Sequence, residues 1–370
     1  MKIISTKTKL RKYFIYIDQD ITEKFPVFLM KNFSDAEKIV LVTNDKIINI
    51  YEKKVKDLLR KINIEHKIII IKDGEKYKSL ESTEYIFSKL IEFNVHRNDA
   101  VIAFGGGVIG DLTGFAASIY SRGTKFIQYP TTIISQVDSS VGGKVAINYK
   151  TVKNMIGSFY QPHMVIIDPM LLHTLDKKQI INGLAEIVKY GMMFDKKILE
   201  IIRKNTNSSN NDRVLSLVKS KIFEKIIFKC CTIKTRVVEK DEFDSGYRNL
   251  LNFGHTIGHC IENASNLEDI NHGQAVSMGM IAAIDISISM GLAKKQLKED
   301  TIEVYKRLEL PYIIPKLDVE KIMNALKYDK KFTSKINKFI LVKGVNKPLF
   351  CYNIDNDIIA ESIKNNMESY

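Results

Sequence analysis

The chain has 370 residues, long for one hydrophobic core and sufficient for two domains. Its composition, 45% hydrophobic and 27% charged with no low-complexity tract or internal repeat, excludes a disordered, fibrous or repeat protein. The formal net charge of +13 comes from lysines scattered along the whole chain. No arginine-rich block accompanies them, so the charge speaks for solubility and an anionic small substrate ahead of nucleic acid.

From the amino end, "MKIISTKTKLRKYFIYIDQD" has no apolar stretch of signal-peptide length, and export is not expected. "KIVLVTN" (38–44) and "HKIIIIKDGE" (66–75) are β-rich runs ending in polar turns. "LESTEYIFSKLIEFNV" (80–95) carries apolar residues at helical spacing. "DAVIAF" (99–104) is a buried strand that runs into "GGGVIGDLTGFAASIYSRG", and "MVIIDP" (164–169) is another short strand. Strands alternating with helices predict a parallel sheet of the α/β class. From about Leu175 the pattern turns to long helical periodicities, in "INGLAEIVKYGMM", "SLVKSKIFEKIIFKCCTIKTRVVEKD" and the stretch after His272. The expected layout is therefore an α/β domain over 1–177 and a mostly α-helical domain over 178–370. Ligand sites favour interfaces of this kind, so the active site is expected in the cleft between them. The run "AVSMGMIAAIDISISMGLA" (275–293) is broken by Asp285 and serines, and predicts a buried helix rather than a membrane span. Four cysteines (Cys230, Cys231, Cys260, Cys351) show neither metal spacing nor a disulfide framework, which suits reduced core thiols in a cytosolic protein.

Chemistry gathers at three places. Gly105, Gly107 and Gly110 form G-x-G-x-x-G between a strand and a helix, where glycine allows positive φ and close backbone approach to a pyrophosphate at a helix N-terminus. Such a turn can also serve packing alone. This one follows at least two earlier strand units, so dinucleotide binding here implies a variant of the doubly wound fold. "DGEKYKS" (73–79) ends a strand, where open α/β sheets bind ligands. In "LNFGHTIGHCIE" (251–262), His255 and His259 share a helix face at i and i+4, and His272 follows. Glu186 and Lys189 share an otherwise apolar face at i and i+3, and a carboxylate there is costly unless it is paired or coordinates a metal. Two histidines and one carboxylate make a common catalytic zinc set. Spacing leaves open both metal binding and which histidine stays outside the shell. Among the cations, Lys144 in "DSSVGGK" is the best single phosphate candidate, because small residues permit close approach to its point charge.

Read together, "LVTN", "DGEKYKSL", "GGGVIGDLTGFAASIYSRG", "FIQYPTTIISQVDSSVGGKVAIN", "KNMIGSFYQP", "GLAEIVKYG", "LLNFGHTIGHCIE" and "HGQAV" stand in family order. Over nearly its whole length the chain resembles the 3-dehydroquinate synthase family of sugar-phosphate cyclases. The resemblance implies a Rossmann-like NAD-binding α/β domain, a helical metal- and substrate-binding domain, and a cytoplasmic homodimer. It implies conversion of 3-deoxy-D-arabino-heptulosonate 7-phosphate, a small anionic phosphorylated sugar acid, into 3-dehydroquinate and phosphate. The implied steps are NAD-mediated oxidation, phosphate elimination, reduction, ring opening and aldol closure. The family's metal ligands fall on Glu186, His255 and His272, with zinc the first choice and cobalt an alternative. NAD contacts fall on Asp73, Gly74, Glu75, Lys76, Tyr77 and Lys78, and on Gly106, Gly107, Val108, Ile109, Gly110 and Asp111. They continue on Thr131, Thr132, Asp138, Lys144 and Lys153, and on Leu171, Leu172, His173 and Thr174. Substrate contacts and catalytic groups fall on Arg122, Asp138, Lys144, Asn154, Lys189, Lys234, Arg248, Asn252, His259 and Lys331. His259 and Lys144 are the implied groups for proton relay and phosphate polarisation.

Asp244, Cys260 and Gln274 depart from the family's usual residues, and Gln274 is expected to weaken a contact behind the metal ligands. Within enzymes the alternatives are another NAD- and zinc-dependent sugar-phosphate cyclase or a metal-dependent polyol dehydrogenase. A basic nucleic-acid-binding protein is the rival from another class. Neither nucleic acid nor membrane is expected as a partner.

Overall fold

The computed structural model describes residues 1–19, 21–150, 152–207, 212–265, 270–327 and 337–368. The chain packs into two compact units, Met1–Leu175 with Ile227–Asp244, and Asp176–Ile226 with Ser245–Tyr370. The expected pair of contiguous domains meeting at 177/178 is thus corrected, because residues 227–244 return to the first unit. Long-range bonds hold them there. Thr235 Oγ1 meets Thr6 Oγ1 at 3.1 Å, and Glu239 and Glu242 accept the backbone N–H groups of Lys7 and Lys9 at 2.7 Å.

The first unit contains β1 (Lys2–Lys7), β2 (Lys12–Ile17), α1 (Phe25–Asn32), β3 (Lys38–Asn44), α2 (Asp45–Ile62) and β4 (Glu65–Ile71). It continues through α3 (Leu80–Glu92), β5 (Ala100–Gly105), α4 (Gly107–Ile119), β6 (Lys125–Pro130), β7 (Lys144–Tyr149), β8 (Val152–Phe159) and β9 (Met164–Ile167). Seven of the strands form one sheet in the order β1-β2-β9-β6-β5-β3-β4. All its neighbours pair in parallel except β1 and β2. Its inner strands are continuous apolar runs, "AVIAFG" in β5 and "MVII" in β9, buried at every position. That is the signature of a parallel sheet covered on both faces. The chain steps from β3 outward to β4 and then crosses to β5 on the other side of β3. The topological switch point, where open α/β sheets bind ligands, therefore lies at the carboxyl ends of β3 and β5. This explains how a glycine turn that does not follow the first strand can still stand at a ligand site. The β1–β2 hairpin and the separate antiparallel β7–β8 hairpin had no counterpart in the sequence expectations.

In the second unit lie α5 (Lys177–Met193), α6 (Lys197–Asn205), α7 (Arg213–Lys219) and the start of α8 (Lys221–Lys240). The single long helix expected over 216–241 is broken at Ser220, which adopts an extended conformation between α7 and α8. Then follow α9 (His255–Ala264), α10 (His272–Ser289), α11 (Lys295–Leu308), α12 (Val319–Lys327), a hairpin of β10 (Lys338–Val342) with β11 (Pro348–Tyr352), and α13 (Asn356–Asn365). Helix α10 is buried almost all round, as its largely apolar composition requires. Among the described residues no helix is long and apolar enough to cross a membrane. Cys230, Cys231 and Cys260 are buried thiols, and burial pushes Cys231 up to about 12, so it stays protonated.

Candidate active site

On the first unit the glycine-rich turn opens α4, with Gly106 as its N-cap in extended conformation. The expectation that these glycines supply positive φ is corrected, since none of Gly105, Gly106, Gly107 or Gly110 is in that region. They are needed for closeness. A Cβ on Gly105 would stand 2.6 Å from Cβ of Ile109, and one on Gly110 would stand 2.9 Å from Oε1 of Gln128 on β6. Small residues here let the α4 amino end, with Val108 in its first turn, sit directly against the carboxyl end of the sheet. Thr131 and Thr132 follow β6, and the Thr131 N–H donates to the Gly105 carbonyl at 3.0 Å. Leu171, Leu172, His173 and Thr174 form a 3-10 turn after β9, capped by Asp168 and tied to Tyr51 of α2 through the Leu171 carbonyl at 2.7 Å. Asn44 closes β3 and donates to Asp73 at 2.6 Å. These carboxyl-end loops thus collect most residues expected to hold NAD.

A polar network runs from the "DGEKYK" loop to the β7–β8 hairpin. The buried Lys78 ammonium donates to Asp111 at 2.6 Å and also bonds the Asn154 side chain. Asn148 donates to Glu75 at 2.9 Å and accepts the Asn154 N–H at 2.9 Å. Burial pushes the Asp111 carboxyl up against the pull of Lys78. Gly74, Lys76 and Tyr77 complete the loop, with φ of +121° at Gly74 making its turn. Asp138 sits in a π-helical turn, Ser135–Ser139, a rare backbone form found at functional sites. It is paired with Lys234, whose Nζ also donates to the Asp138 carbonyl at 2.8 Å. Lys144 pairs with Asp244. Lys153 lies exposed on β8. Arg122 is exposed in a left-handed corner (φ 59°) between α4 and the amino end of β6, away from the carboxyl-end loops. Lys331 falls outside the described residues.

On the second unit three elements bring the metal candidates together. Glu186, from the middle of α5, is 1% exposed. His255 opens α9 and His272 opens α10. Their Nε2 atoms lie 3.5 and 3.2 Å from the same oxygen, Oε1 of Glu186, and one donor atom from each of the three residues falls within 4.8 Å of the others. The helices can approach this closely because glycines line the crossings. A Cβ on Gly258 would meet the Ala275 carbonyl at 3.0 Å, and one on Gly279 would meet the Gly254 carbonyl at 2.1 Å. The His259 ring stands 5.5 Å from that of His255 and 6.1 Å from that of His272.

Electrostatically the cluster is tight. Burial alone would raise the Glu186 carboxyl, but the Lys189 ammonium and His272 outweigh it and hold it well below the usual carboxylate range. Burial disfavours the charged form of His272, yet hydrogen bonding to Glu186 and Glu262 pushes it up to about 9. Glu262 escaped sequence reasoning. Its Oε2 lies 3.5 Å from Nδ1 of His272, and the available signal was its place three residues after His259 and seven after His255 on one helix. Arg248, buried, and Asn252 lie on the 3-10 turn Tyr247–Asn252 that leads into α9. The expectation for Gln274 is corrected. Its side chain accepts the Asn271 N–H at 3.0 Å while Asn271 accepts the Gln274 N–H, a capping box that starts α10. Gln and Glu serve that cap alike. Cys260 donates to the Thr256 carbonyl at 3.2 Å inside α9.

Comparison with known proteins identifies the family. The families described as 3-dehydroquinate synthase N-terminal and C-terminal match residues 68–182 and 183–332. The 3-dehydroquinate synthase of Clostridium tetani is 38% identical over 356 residues, covering 95% of this chain and 92% of its own. The crystal structure of 2-deoxy-scyllo-inosose synthase complexed with carbaglucose-6-phosphate, NAD+ and Co2+ superposes with a TM-score of 0.86 at 24% identity, over 99% of this chain and 100% of that one. The 2-epi-5-epi-valiolone synthase from Streptomyces hygroscopicus, with NAD+ and Zn2+ bound, gives 0.86 at 23% identity, over 97% and 98%. These two share the fold. Similarity to curated sequences over nearly the full length, together with both matched halves, places the chain in the 3-dehydroquinate synthase family.

Proposed function

We propose that the chain converts 3-deoxy-D-arabino-heptulosonate 7-phosphate into 3-dehydroquinate and phosphate, with a divalent metal held by Glu186, His255 and His272. The observation that carries this reading is that buried donor set of one carboxylate and two imidazoles within 4.8 Å, which suits zinc or cobalt. NAD fits the first unit by an independent observation. The switch-point loops present a helix N-terminus at a turn where a Cβ would collide. When bound, the metal supplies Lewis acidity toward a substrate hydroxyl and the nicotinamide supplies a reversible hydride store.

The chain's own residues do the rest. Asp138 and Asp244 hold the ammonium groups of Lys234 and Lys144 in place, so that cations for phosphate and carboxylate are already oriented when substrate arrives. Lys189 keeps Glu186 ionised and ready to ligate. Arg248 and Asn252, on the turn that leads into α9, supply hydrogen-bond donors to the substrate. His259, next to the ligand histidines, carries a proton to or from the reacting oxygen at a ring nitrogen. Outside the site, the reading extends to a homodimeric cytoplasmic enzyme with no nucleic-acid or membrane partner.

The test is phosphate release from the heptulosonate phosphate by purified protein with NAD and zinc. Release is expected, with no net accumulation of NADH, and a strong chelator should stop it. Full activity in the chelated, metal-free protein would refute the ligand assignment, and accumulation of NADH would mark a dehydrogenase instead. On the NAD side, Gly105→Ala forces a methyl group against the fixed, β-branched Ile109. It is expected to cost about 1–3 kcal/mol of stability by overpacking and to weaken NAD binding, measured by urea unfolding and by nucleotide titration.

A further inference from the structure

The two imidazoles of the metal set are held alike. His255 turns Nε2 toward Glu186 Oε1, and its Nδ1 lies 3.1 Å from the Phe253 carbonyl oxygen. His272 turns Nε2 toward the same Oε1, and its Nδ1 lies 3.5 Å from Glu262 Oε2. A neutral imidazole has one N–H and one lone pair. In the metal-bound state the ring is neutral, so an oxygen acceptor at Nδ1 draws the one N–H to that side and leaves the Nε2 lone pair for the metal. For His255 the acceptor is a neutral carbonyl. For His272 it is a carboxylate, buried, on the same helix that supplies His255.

We propose that Glu262 is the positioning residue of His272, accepting its Nδ1–H, fixing tautomer and ring plane, and strengthening Nε2 as a metal donor. This rests on the reading that Glu186, His255 and His272 hold the metal. Helix α9 then does two jobs: its first residue is a ligand, and Glu262, two turns later, orients the ligand that opens α10.

A competing interpretation has to be set aside. His259, Glu262 and His272 also bring donor atoms within 4.8 Å, which would make a second metal set. The ring of His272 is common to both sets. Its nitrogen facing Glu262 is Nδ1, and the one facing Glu186 is Nε2. Serving both sets would require a fully deprotonated imidazolate. A single proton on Nδ1 satisfies Glu262 and leaves one metal position.

The experiment measures zinc dissociation constants by competition with a chromogenic chelator, at one pH, for wild type, Glu262→Gln, Glu262→Ala and Glu262→Asp. Expected are a weakening of about 10-fold in Glu262→Gln and up to about 100-fold in Glu262→Ala, with partial recovery in Glu262→Asp. The metal-free melting temperature of the isosteric Glu262→Gln should stay within a few degrees of the wild-type value, which separates positioning from general packing and decides the matter if Glu262→Ala does not fold. The visible absorption of the cobalt-loaded protein should shift in Glu262→Gln, reporting an altered ligand field. Wild type and Glu262→Gln binding zinc equally would overturn the role of Glu262 while leaving the metal reading intact. Two zinc ions in wild type and one in Glu262→Gln would overturn it in favour of the second set. Wild type that binds no zinc would overturn the metal reading and this inference together.

Discussion

Protein carrying His272→Ala is expected to lose its zinc and with it phosphate release, by about 10³-fold or more if the metal supplies several kcal/mol of transition-state stabilisation. His259→Ala is expected to keep its zinc and to turn over about 10²- to 10⁴-fold more slowly, the range for losing one acid–base group. The difference follows from which atoms face Glu186. His255 and His272 both aim Nε2 at its Oε1, within 3.5 Å, whereas His259 stands one turn further along α9 with its ring beside theirs. Removing His272 leaves Glu186 with a single imidazole neighbour and leaves Glu262 without the N–H it faces. Removing His259 touches neither contact. Metal analysis of the two purified variants, paired with the phosphate assay, separates the roles. Zinc lost from His259→Ala, or retained at full stoichiometry by His272→Ala, would reverse the assignment.

Parts of this molecule were legible in the sequence for identifiable reasons. "KIVLVTN" and "DAVIAF" stand out because strands inside a parallel sheet carry near-continuous apolar runs. "KIISTK" and "KVAINY" do not, because these hairpin strands bury only alternate residues and carry lysines on the other face. The return of residues 227–244 to the first unit was invisible for a different reason. Bonds such as Thr6 to Thr235 span more than half the chain, and nothing local in α8 announces them. At the site, residue types and order carried the resemblance, but spacing could not choose among three histidines. Geometry distinguishes them by the nitrogen each ring turns toward Glu186. Glu262 stayed hidden as one more acid on an amphipathic helix until α10 delivered His272 to it. Gln274 misled for the converse reason, since a residue two positions from a ligand serves the helix cap and makes its side-chain bond to the Asn271 backbone.

The glycine after His272 shows how far the site depends on backbone closeness, and replacing it gives the second large effect. A Cβ at Gly273 would lie 2.0 Å from the Asn182 carbonyl oxygen and 2.7 Å from the carbonyl carbon and Cα. All three are backbone atoms of α5, so no side chain can swing aside. The Gly273 N–H already donates to Asn182 Oδ1 at 2.5 Å, which pins the start of α10 to this one spot. Gly273→Ala must therefore push the amino end of α10 off α5 by about an ångström. Glu186 lies one turn along α5 from Asn182, and His272 is the neighbour of the substituted residue, so the displacement falls directly between two metal ligands. Overpacking is expected to cost about 1–3 kcal/mol of stability, and misplacement on this scale about 10²-fold in turnover. Gly107→Ala is the control, because its φ is not positive and a Cβ there meets only Ser139 Oγ, at an ordinary 3.4 Å. Urea unfolding and zinc stoichiometry of both variants decide the matter. If Gly273→Ala unfolds with the wild-type midpoint and holds zinc as tightly, the contact with Asn182 is not what places His272 beside Glu186.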